Sequence, residues 1–277
     1  MGNSYDFGAR MYDSRVGRWL SLDAYSKIHP NESNYSFVRN NPVIFVDPDG
    51  NTDFYFNGKY VGNDGVDNGL IGLVKNKAVA KQIKKSQYTF SVQISPGVSN
   101  DFVVLDYAVL KISNEILDLS LEKGQTHEYG AVFRKNLSTE KFEMTPEGIV
   151  QGPDSPLESD KLGSVDLSAQ SGDISIHSHR TGLGKNGETA SPDNPSLPDK
   201  EGMDIELMLI IVGKKGVAVQ DQVGKIHDNR NKGGSIEIYD KNTKNKPLSL
   251  SGWDAKRIIK HHEKLKQWNF LLYLFSA

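Results

Sequence analysis

The chain is organised around the stretch Ser175-Ile176-His177-Ser178-His179, which is followed after a polar loop by Ser196-Leu197-Pro198-Asp199. Isoleucine and small or β-branched residues predict a short strand over the first stretch, and the two-residue period of a strand places His177 and His179 on one face. Two neutral imidazoles and a carboxylate, with the fourth position left to water, are typical of a catalytic zinc site. Asp199 is the nearest candidate for the third ligand.

A helix is predicted to begin at Ser196. Serine is a good N-cap residue, and proline and aspartate at positions 198 and 199 suit the first turn. A hydrophobic run from Met203 to Val212 follows closely. This arrangement would bring Asp199 and the Ser196 hydroxyl to one edge of the strand.

The pattern His177-Ser178-His179 followed by Ser196-Leu197-Pro198-Asp199 resembles the metal-binding motif of the JAB/MPN (JAMM) metallopeptidases. Members of that family have a fold related to cytidine deaminases, and many are zinc isopeptidases or deubiquitinases. The resemblance implies Zn²⁺ ligands at His177, His179 and Asp199. It also implies that Ser196 helps to stabilise an oxyanion, and that a glutamate further upstream acts as the base.

Glu128 is the predicted base because it opens an apolar strand preceded by a helix, as the family arrangement requires. Glu122, at the wrong end of the helix, and Glu140 and Glu143, beyond the strand, are the alternatives. The family chemistry would have zinc lower the pKa of its bound water to about 7. Glu128 would accept the proton and pass it to the leaving amine, while zinc and Ser196 share the oxyanion.

The sequence departs from the family pattern at two points. Arg180 stands where the family usually has proline, and residues 180 to 195 form a longer spacer than is usual. The added segment, 181 to 188, is polar and glycine-rich, which predicts a loop insertion. Doubling the length of a flexible loop costs only about 0.6 kcal/mol, so the ligand set can be kept.

Residues 1–50 differ in composition from the remainder, and short motifs recur in them. These are Tyr5-Asp6-Phe7-Gly8-Ala9-Arg10-Met11-Tyr12-Asp13, Gly17-Arg18-Trp19-Leu20-Ser21-Leu22-Asp23, Asn40-Asn41-Pro42-Val43 and the turn Asp47-Pro48-Asp49-Gly50. They resemble the RHS-repeat-associated core, the end of large shell-forming bacterial proteins that carry a C-terminal toxin domain. The resemblance implies a polymorphic-toxin effector with a cognate immunity protein, made in the bacterial cytoplasm and delivered to a target cell.

The length, net charge and composition of the chain also restrict its possible functions. The chain has 277 residues, a formal charge of -2 and no cysteine. A net charge this close to zero does not indicate a surface that binds nucleic acid. The lack of cysteine excludes disulfides, thiolate zinc sites and the zinc nucleobase deaminases. No apolar run reaches the roughly 20 residues of a membrane helix. The N-terminus lacks a signal-peptide layout, so delivery by a non-classical route is expected.

Three regions are predicted: the RHS remnant 1–50, a connector 51–100, and a metallopeptidase-like domain 101–277. The connector contains an Asn57-Gly58 hairpin signal and a basic amphipathic piece, 74 to 85. The domain is predicted to be α/β (α+β), a mixed sheet flanked by helices. Its predicted elements are a helix over 101–120, strands from Glu128, over 141–150, at His177 and over 207–213, a hairpin partner at 217–219, a strand over 236–239 and a helix over 255–274.

The leading hypothesis is a zinc peptidase or isopeptidase acting on proteins or peptide conjugates, with ubiquitin-like modifiers suggested by family analogy alone. A metal-dependent nuclease toxin and a non-catalytic binding module of the same fold are the alternatives. His177 and His179 could also be surface residues of an edge strand. The histidines at positions 127, 227, 261 and 262 are predicted to face solvent.

Overall fold

A computed structural model of the chain describes residues 4–6, 11–13, 15, 18–21, 51–63, 67–86, 96–122, 126–154, 165–181, 191–243 and 247–276. Of the N-terminal region, the described part forms a three-stranded antiparallel sheet of β1 (Ser4–Asp6), β2 (Met11–Asp13) and β3 (Arg18–Trp19). The motifs at 40–43 and 47–50 lie outside the described residues. So do positions 182–188 of the predicted loop insertion.

A tight hairpin opens the next region. Strands β4 (Asn51–Phe56) and β5 (Lys59–Asn63) are joined by Asn57 and Gly58, whose φ angles are 47° and 67°. A two-residue turn with positive φ at both positions matches the right-handed twist of its strands, and Asn-Gly adopts it at little cost. The hairpin predicted from this dipeptide is confirmed.

The hairpin belongs to a five-stranded sheet. Its further elements are β6 (Asp67–Val74), helix α1 (Lys77–Ser86), β7 (Gly97–Val98) and β8 (Phe102–Asp106), and the strand order is β5-β4-β6-β8-β7. The basic amphipathic piece is α1: it buries Ala80 and Ile83 against this sheet, while its lysines face solvent. The lysines therefore form a solvated face, as predicted.

The prediction of helix from residue 101 is wrong for Phe102–Asp106, which is β8. All five residues are buried, so the strand is covered on both faces and shows no alternation. Such an apolar run cannot be distinguished from a buried helix by its period. Helix α2 begins afterwards and covers Tyr107–Ser120. The predicted boundary at residue 100 falls between β7 and β8, which are hydrogen-bonded to each other.

The second large sheet has seven strands. They are β9 (Tyr129–Lys135), β10 (Phe142–Met144), β11 (Val150–Gln151), β12 (Ile174–Ser178), β13 (Met208–Gly213), β16 (Ser235–Tyr239) and β17 (Leu248–Ser251). The order is β10-β9-β12-β13-β16-β17, with β11 also pairing with β9. Only β12 and β13 run parallel among these pairs, and their connection contains the short helix α3 (Leu197–Gly202).

Strands β14 (Ala218–Gln220) and β15 (Ile226–Asp228) form a separate antiparallel ribbon. The prediction that Val217–Val219 pairs with the buried strand before it is wrong. Strand β13 already has β12 on one side and β16 on the other, so it has no free edge to offer.

Helix α2 lies between the two large sheets. Its residues Val109, Leu110, Ile116 and Leu117 belong to one core cluster with side chains from both sheets and from the terminal helix α4 (Gly252–Ser276). The chain is thus mixed α/β with several sheets and few helices, compatible with the predicted α+β class. Within the described residues, no helix is sufficiently long and apolar to span a bilayer.

Candidate metal centre

Strand β12 positions the two histidines. Ser175 and His177 alternate with the core residues Ile174 and Ile176, and His179 continues the alternation because its backbone N–H still donates to Val212 O at 2.9 Å. The imidazole centroids of His177 and His179 are 5.3 Å apart. Their side chains are only 11% and 9% exposed. The reading of both as surface residues is therefore excluded.

Helix α3 positions the carboxylate. Ser196 is its N-cap: the Ser196 hydroxyl accepts a hydrogen bond from Asp199 N at 3.3 Å, and Ser196 N donates to Asp199 Oδ2 at 2.6 Å. This reciprocal capping box fixes the Asp199 side chain at the start of the helix. The predicted helix start is confirmed, and it brings the carboxylate to the face of β12 that carries the histidines.

The three side chains converge on one point. His177 Nε2 lies 3.2 Å from Asp199 Oδ1, and His179 Nε2 lies 3.4 Å from Asp199 Oδ2. Charge-assisted N–H to carboxylate hydrogen bonds are shorter, about 2.7–2.9 Å. Ligand atoms at about 2.0–2.1 Å from a tetrahedral zinc ion are about 3.3 Å from one another. The spacing fits a metal ion, and no other His, Asp and Glu group with ligand spacing occurs in the part of the chain that the structure describes.

A backbone carbonyl sets the orientation of one candidate ligand, His179. His179 Nδ1 lies 3.1 Å from Ser191 O, where the ring N–H donates to the carbonyl. This contact places a proton on Nδ1, so Nε2, which faces Asp199, is the ring nitrogen that could bind a metal ion. Metal-binding histidines are generally held in this way.

The charges of the group reinforce one another. Burial alone would raise the pKa of Asp199, but hydrogen bonds and charge from His177 and His179 outweigh it and hold that pKa well below its usual range. Burial opposes a charged His177, yet the nearby carboxylates, Asp199 first, raise its pKa. An ionised carboxylate therefore faces two imidazoles, a donor set that can hold a metal cation.

Glu128 lies beside this group, immediately before β9. In the register of β9 against β12, His177 faces Gly130, so the alternation places Glu128 on the same face of the sheet. Tyr129 N donates to Ser178 Oγ at 2.8 Å, which fixes the chain at this point. Glu128 is 9% exposed. Burial raises the pKa of its carboxyl, against the lowering effect of the charges on His179 and His177.

The alternative glutamates are engaged elsewhere. Glu140 contacts Lys135, and Glu143 accepts hydrogen bonds from Asn136 and Thr139. Glu122 is exposed just beyond the end of α2. Of the four glutamates, Glu128 is the one whose pKa responds to both histidines of the group.

One further carboxylate near the centre was missed. Glu206 accepts a hydrogen bond from the Ser175 hydroxyl, and Ser175 shares a strand face with His177. Burial raises the pKa of Glu206, and the charges of His177 and Asp199 act on it. Glu206 lies in an irregular segment between α3 and β13, where no periodicity signals its direction. The serine at position 175, two residues before His177, was the only indication.

The other histidines differ from the prediction in part. His227 is exposed beside Asp221, as predicted, and His127 and His261 are partly buried. The prediction for His262 is wrong: it is 3% exposed and its Nδ1 donates to Asp53 at 2.9 Å. The partner Asp53 lies on β4 of the five-stranded sheet, so the position of His262 on its helix could not reveal the contact.

Arg180, which replaces the expected proline, is 7% exposed and thus directed inward. The chain just after it is held by Arg230, whose Nη2 donates to Thr181 O at 2.8 Å.

Scans against models of protein families, curated proteins and solved structures find no match to this chain.

Proposed function

We propose that His177, His179 and Asp199 hold a zinc ion and that the chain hydrolyses amide bonds as a peptidase or isopeptidase of the JAB/MPN type. The observation that carries this proposal is the approach of both Nε2 atoms to the two oxygens of Asp199, at 3.2 and 3.4 Å. Two histidines and one carboxylate leave a fourth position open, as catalytic zinc sites do. A bound zinc ion would supply a Lewis acid and a water with a pKa near 7.

Glu128 is suited to move the proton. A general base works best when its pKa is close to the operating pH, and burial moves the pKa of Glu128 upward in that direction. Its Oε2 accepts a hydrogen bond from Val165 N at 3.4 Å, which holds the carboxylate in place. In the proposed reaction Glu128 accepts a proton from water and returns it to the leaving amine.

Ser196 can serve as helix cap and as oxyanion donor at the same time. Its Oγ uses a lone pair to accept from Asp199 N, so its O–H remains able to donate. The side chain is exposed, and it is fixed by the helix start. Loss of one such donor typically costs on the order of 3 kcal/mol in transition-state stabilisation.

The biological setting is proposed from the N-terminal resemblance. The chain would be the C-terminal effector of an RHS-type polymorphic toxin, made in the bacterial cytoplasm and delivered to a target cell. Its substrates would be proteins or peptide conjugates, including ubiquitin-like ones, and an immunity protein would neutralise it. The four motifs between Tyr5 and Gly50 support this part.

The test is metal analysis combined with hydrolysis assays. Purified protein should contain about one zinc per chain and cleave isopeptide- or peptide-linked reporters, and the chelated protein should not. Glu122→Gln, at an exposed position just beyond α2, is the matched control for Glu128→Gln. Plasmid cleavage with magnesium or manganese, without peptide hydrolysis, would refute the proposal in favour of a nuclease. Absence of bound zinc in the wild type would favour a binding module.

A further inference from the structure

Residues 191–193, here called the support segment, carry the carbonyl that orients His179. Ser191 O accepts the hydrogen bond from His179 Nδ1 at 3.1 Å. The direction of the His179 ring therefore depends on where this carbonyl points. Three contacts from other elements hold the support segment in place.

The first contact comes from Tyr239 at the end of β16. Its hydroxyl donates to Pro192 O at 2.7 Å, and the residue is fully buried. The Tyr239 side chain packs in a small cluster with Met203, Leu209 and Ile211. Because packing fixes the ring, the hydroxyl is a rigid donor.

Pro192 couples this donor to the ligand. The carbonyls of Ser191 and Pro192 are separated by only two backbone torsions, φ and ψ of Pro192, and the proline ring locks φ near −65°. Once Tyr239 fixes the Pro192 carbonyl, little freedom remains for the Ser191 carbonyl. The tyrosine hydroxyl thus acts on His179 through one proline.

The second and third contacts involve the turn after β13. Lys215 Nζ lies 3.5 Å from Asp193 Oδ2 and 3.4 Å from Oε1 of Glu237, which is fully buried on the same strand face as Tyr239. Gly216 N donates to Ser191 Oγ at 3.3 Å. Ser249 Oγ in turn donates to Glu237 at 2.7 Å. The support segment is therefore tied both to β16 and to the turn.

We propose that Tyr239 is a positioning residue of the metal centre, acting through Pro192 and Ser191 to hold the Nε2 of His179 toward the ion. The proposal rests on the proposed function only in that the centre takes a metal. A tyrosine that merely satisfied its own buried hydroxyl would affect folding stability and leave the ligand unchanged. The two roles are separable by experiment.

The experiment compares Tyr239→Phe with Tyr55→Phe. Both substitutions remove one hydroxyl from a buried ring, but the Tyr55 hydroxyl bonds His261, on α4. Zinc affinity is measured by competition with a chromophoric chelator, and the cobalt-substituted proteins are compared by visible absorption. NMR of the imidazole nitrogens reports the His179 tautomer without any metal.

Tyr239→Phe should bind zinc about 10- to 100-fold more weakly, the usual range for loss of an outer-shell partner. Its cobalt spectrum should change, and the Nδ1–H tautomer of His179 should lose population. Tyr55→Phe should match the wild type in all three measurements. If Tyr239→Phe fails to fold, Pro192→Ala, which frees φ, should change the same measurements in the same direction.

The proposal is overturned if Tyr239→Phe keeps the wild-type zinc affinity, cobalt spectrum and tautomer. The zinc peptidase would survive that outcome. Conversely, a wild type that binds no zinc would defeat the proposed function and with it the metal-positioning role, and the tautomer measurement would then report only whether Tyr239 orients the His179 ring.

Discussion

Nδ1 of His262 donates a hydrogen bond of 2.9 Å to Oδ2 of Asp53 across 209 residues of sequence. The two side chains are 3% and 7% exposed, and the Tyr107 ring stacks on the imidazole with centroids 4.4 Å apart. Asp53 belongs to the five-stranded sheet and His262 to the terminal helix, which packs on α2. The pair therefore joins the region predicted to be a connector to the rest of the core.

Removing one member of this pair should destabilise the fold. Asp53→Ala leaves a buried imidazole N–H without an acceptor, at a cost of about 1–3 kcal/mol in the free energy of unfolding. Urea unfolding of the single variants and of Asp53→Ala with His262→Ala gives the coupling energy. Asp53→Asn, which keeps an acceptor, is the control and should lose less. Additive single effects would contradict a direct interaction.

The hairpin turn should be sensitive to a methyl group. Gly58 has a φ of 67°, and a Cβ there would lie 2.4 Å from Oδ1 of Asp254 at the start of α4. Gly58→Ala should lower the free energy of unfolding by more than the 1–2 kcal/mol of left-handed strain alone. Gly69→Ala is the matched control, since Gly69 has a φ of 73° and nothing within 4 Å. Equal losses in the two variants would argue against contact between hairpin and helix.

The proposed metal ligands should control both the zinc content and the stability of the protein. His177→Ala and His179→Ala should abolish stoichiometric zinc binding, whereas His227→Ala, at an exposed position, should not. Free zinc at a hundred times its Kd should stabilise the wild type by about 2.7 kcal/mol and leave the ligand variants unchanged. Elemental analysis and thermal unfolding with and without chelator measure this. Retention of zinc by both ligand variants would refute the assignment.

Glu128→Gln should keep the zinc and lose hydrolysis, by a factor on the order of 10² to 10⁴. The base must be unprotonated to act, and burial raises the pKa of Glu128. In the wild type, kcat/KM should therefore begin to fall, on acidification, at a higher pH than an ordinary glutamate would give. Steady-state rates across the acidic range check this. Full activity of Glu128→Gln would remove Glu128 from the role.

Acid stability should depend on Asp228. The hydrogen bond from Arg230 lowers the pKa of Asp228 to about 2, below the unfolded value of about 3.9. A lowered acid pKa stabilises the fold above the unfolded value, and this contribution is lost as the pH falls toward 2. The free energy of unfolding of Asp228→Asn should therefore depend less on pH between about 4 and 2. A variant that follows the wild-type curve would exclude this contribution.

The sequence predicts those parts of the candidate centre that depend on a few neighbouring residues. Strand alternation placed His177 and His179 together, and the cap signal at Ser196 placed Asp199, because each needs only a few neighbouring residues. The strand at Phe102–Asp106 was not predictable, since burial on both faces removes the period. Contacts such as that of His262 with Asp53 arise only when distant elements pack.

The catalytic roles of Glu128 and Ser196 stay predictions, and so do the zinc identity and the JAB/MPN fold. Of the five predicted side chains, the structure places Glu128, His177 and His179 on one face of the seven-stranded sheet. Ser196 and Asp199 lie at the start of α3. Glu206 and Tyr239 could not be inferred from spacing, because an irregular segment and a remote strand supply them.

The capping box of α3 bears on how quickly an ion could be taken up. The Asp199 carboxylate is held by the backbone of Ser196, and this restraint needs no ion. An arriving cation would meet a carboxylate that is already ordered. The rate of metal uptake should then be limited by the loss of water from the cation's hydration shell. Rearrangement of the polypeptide should contribute little to that rate.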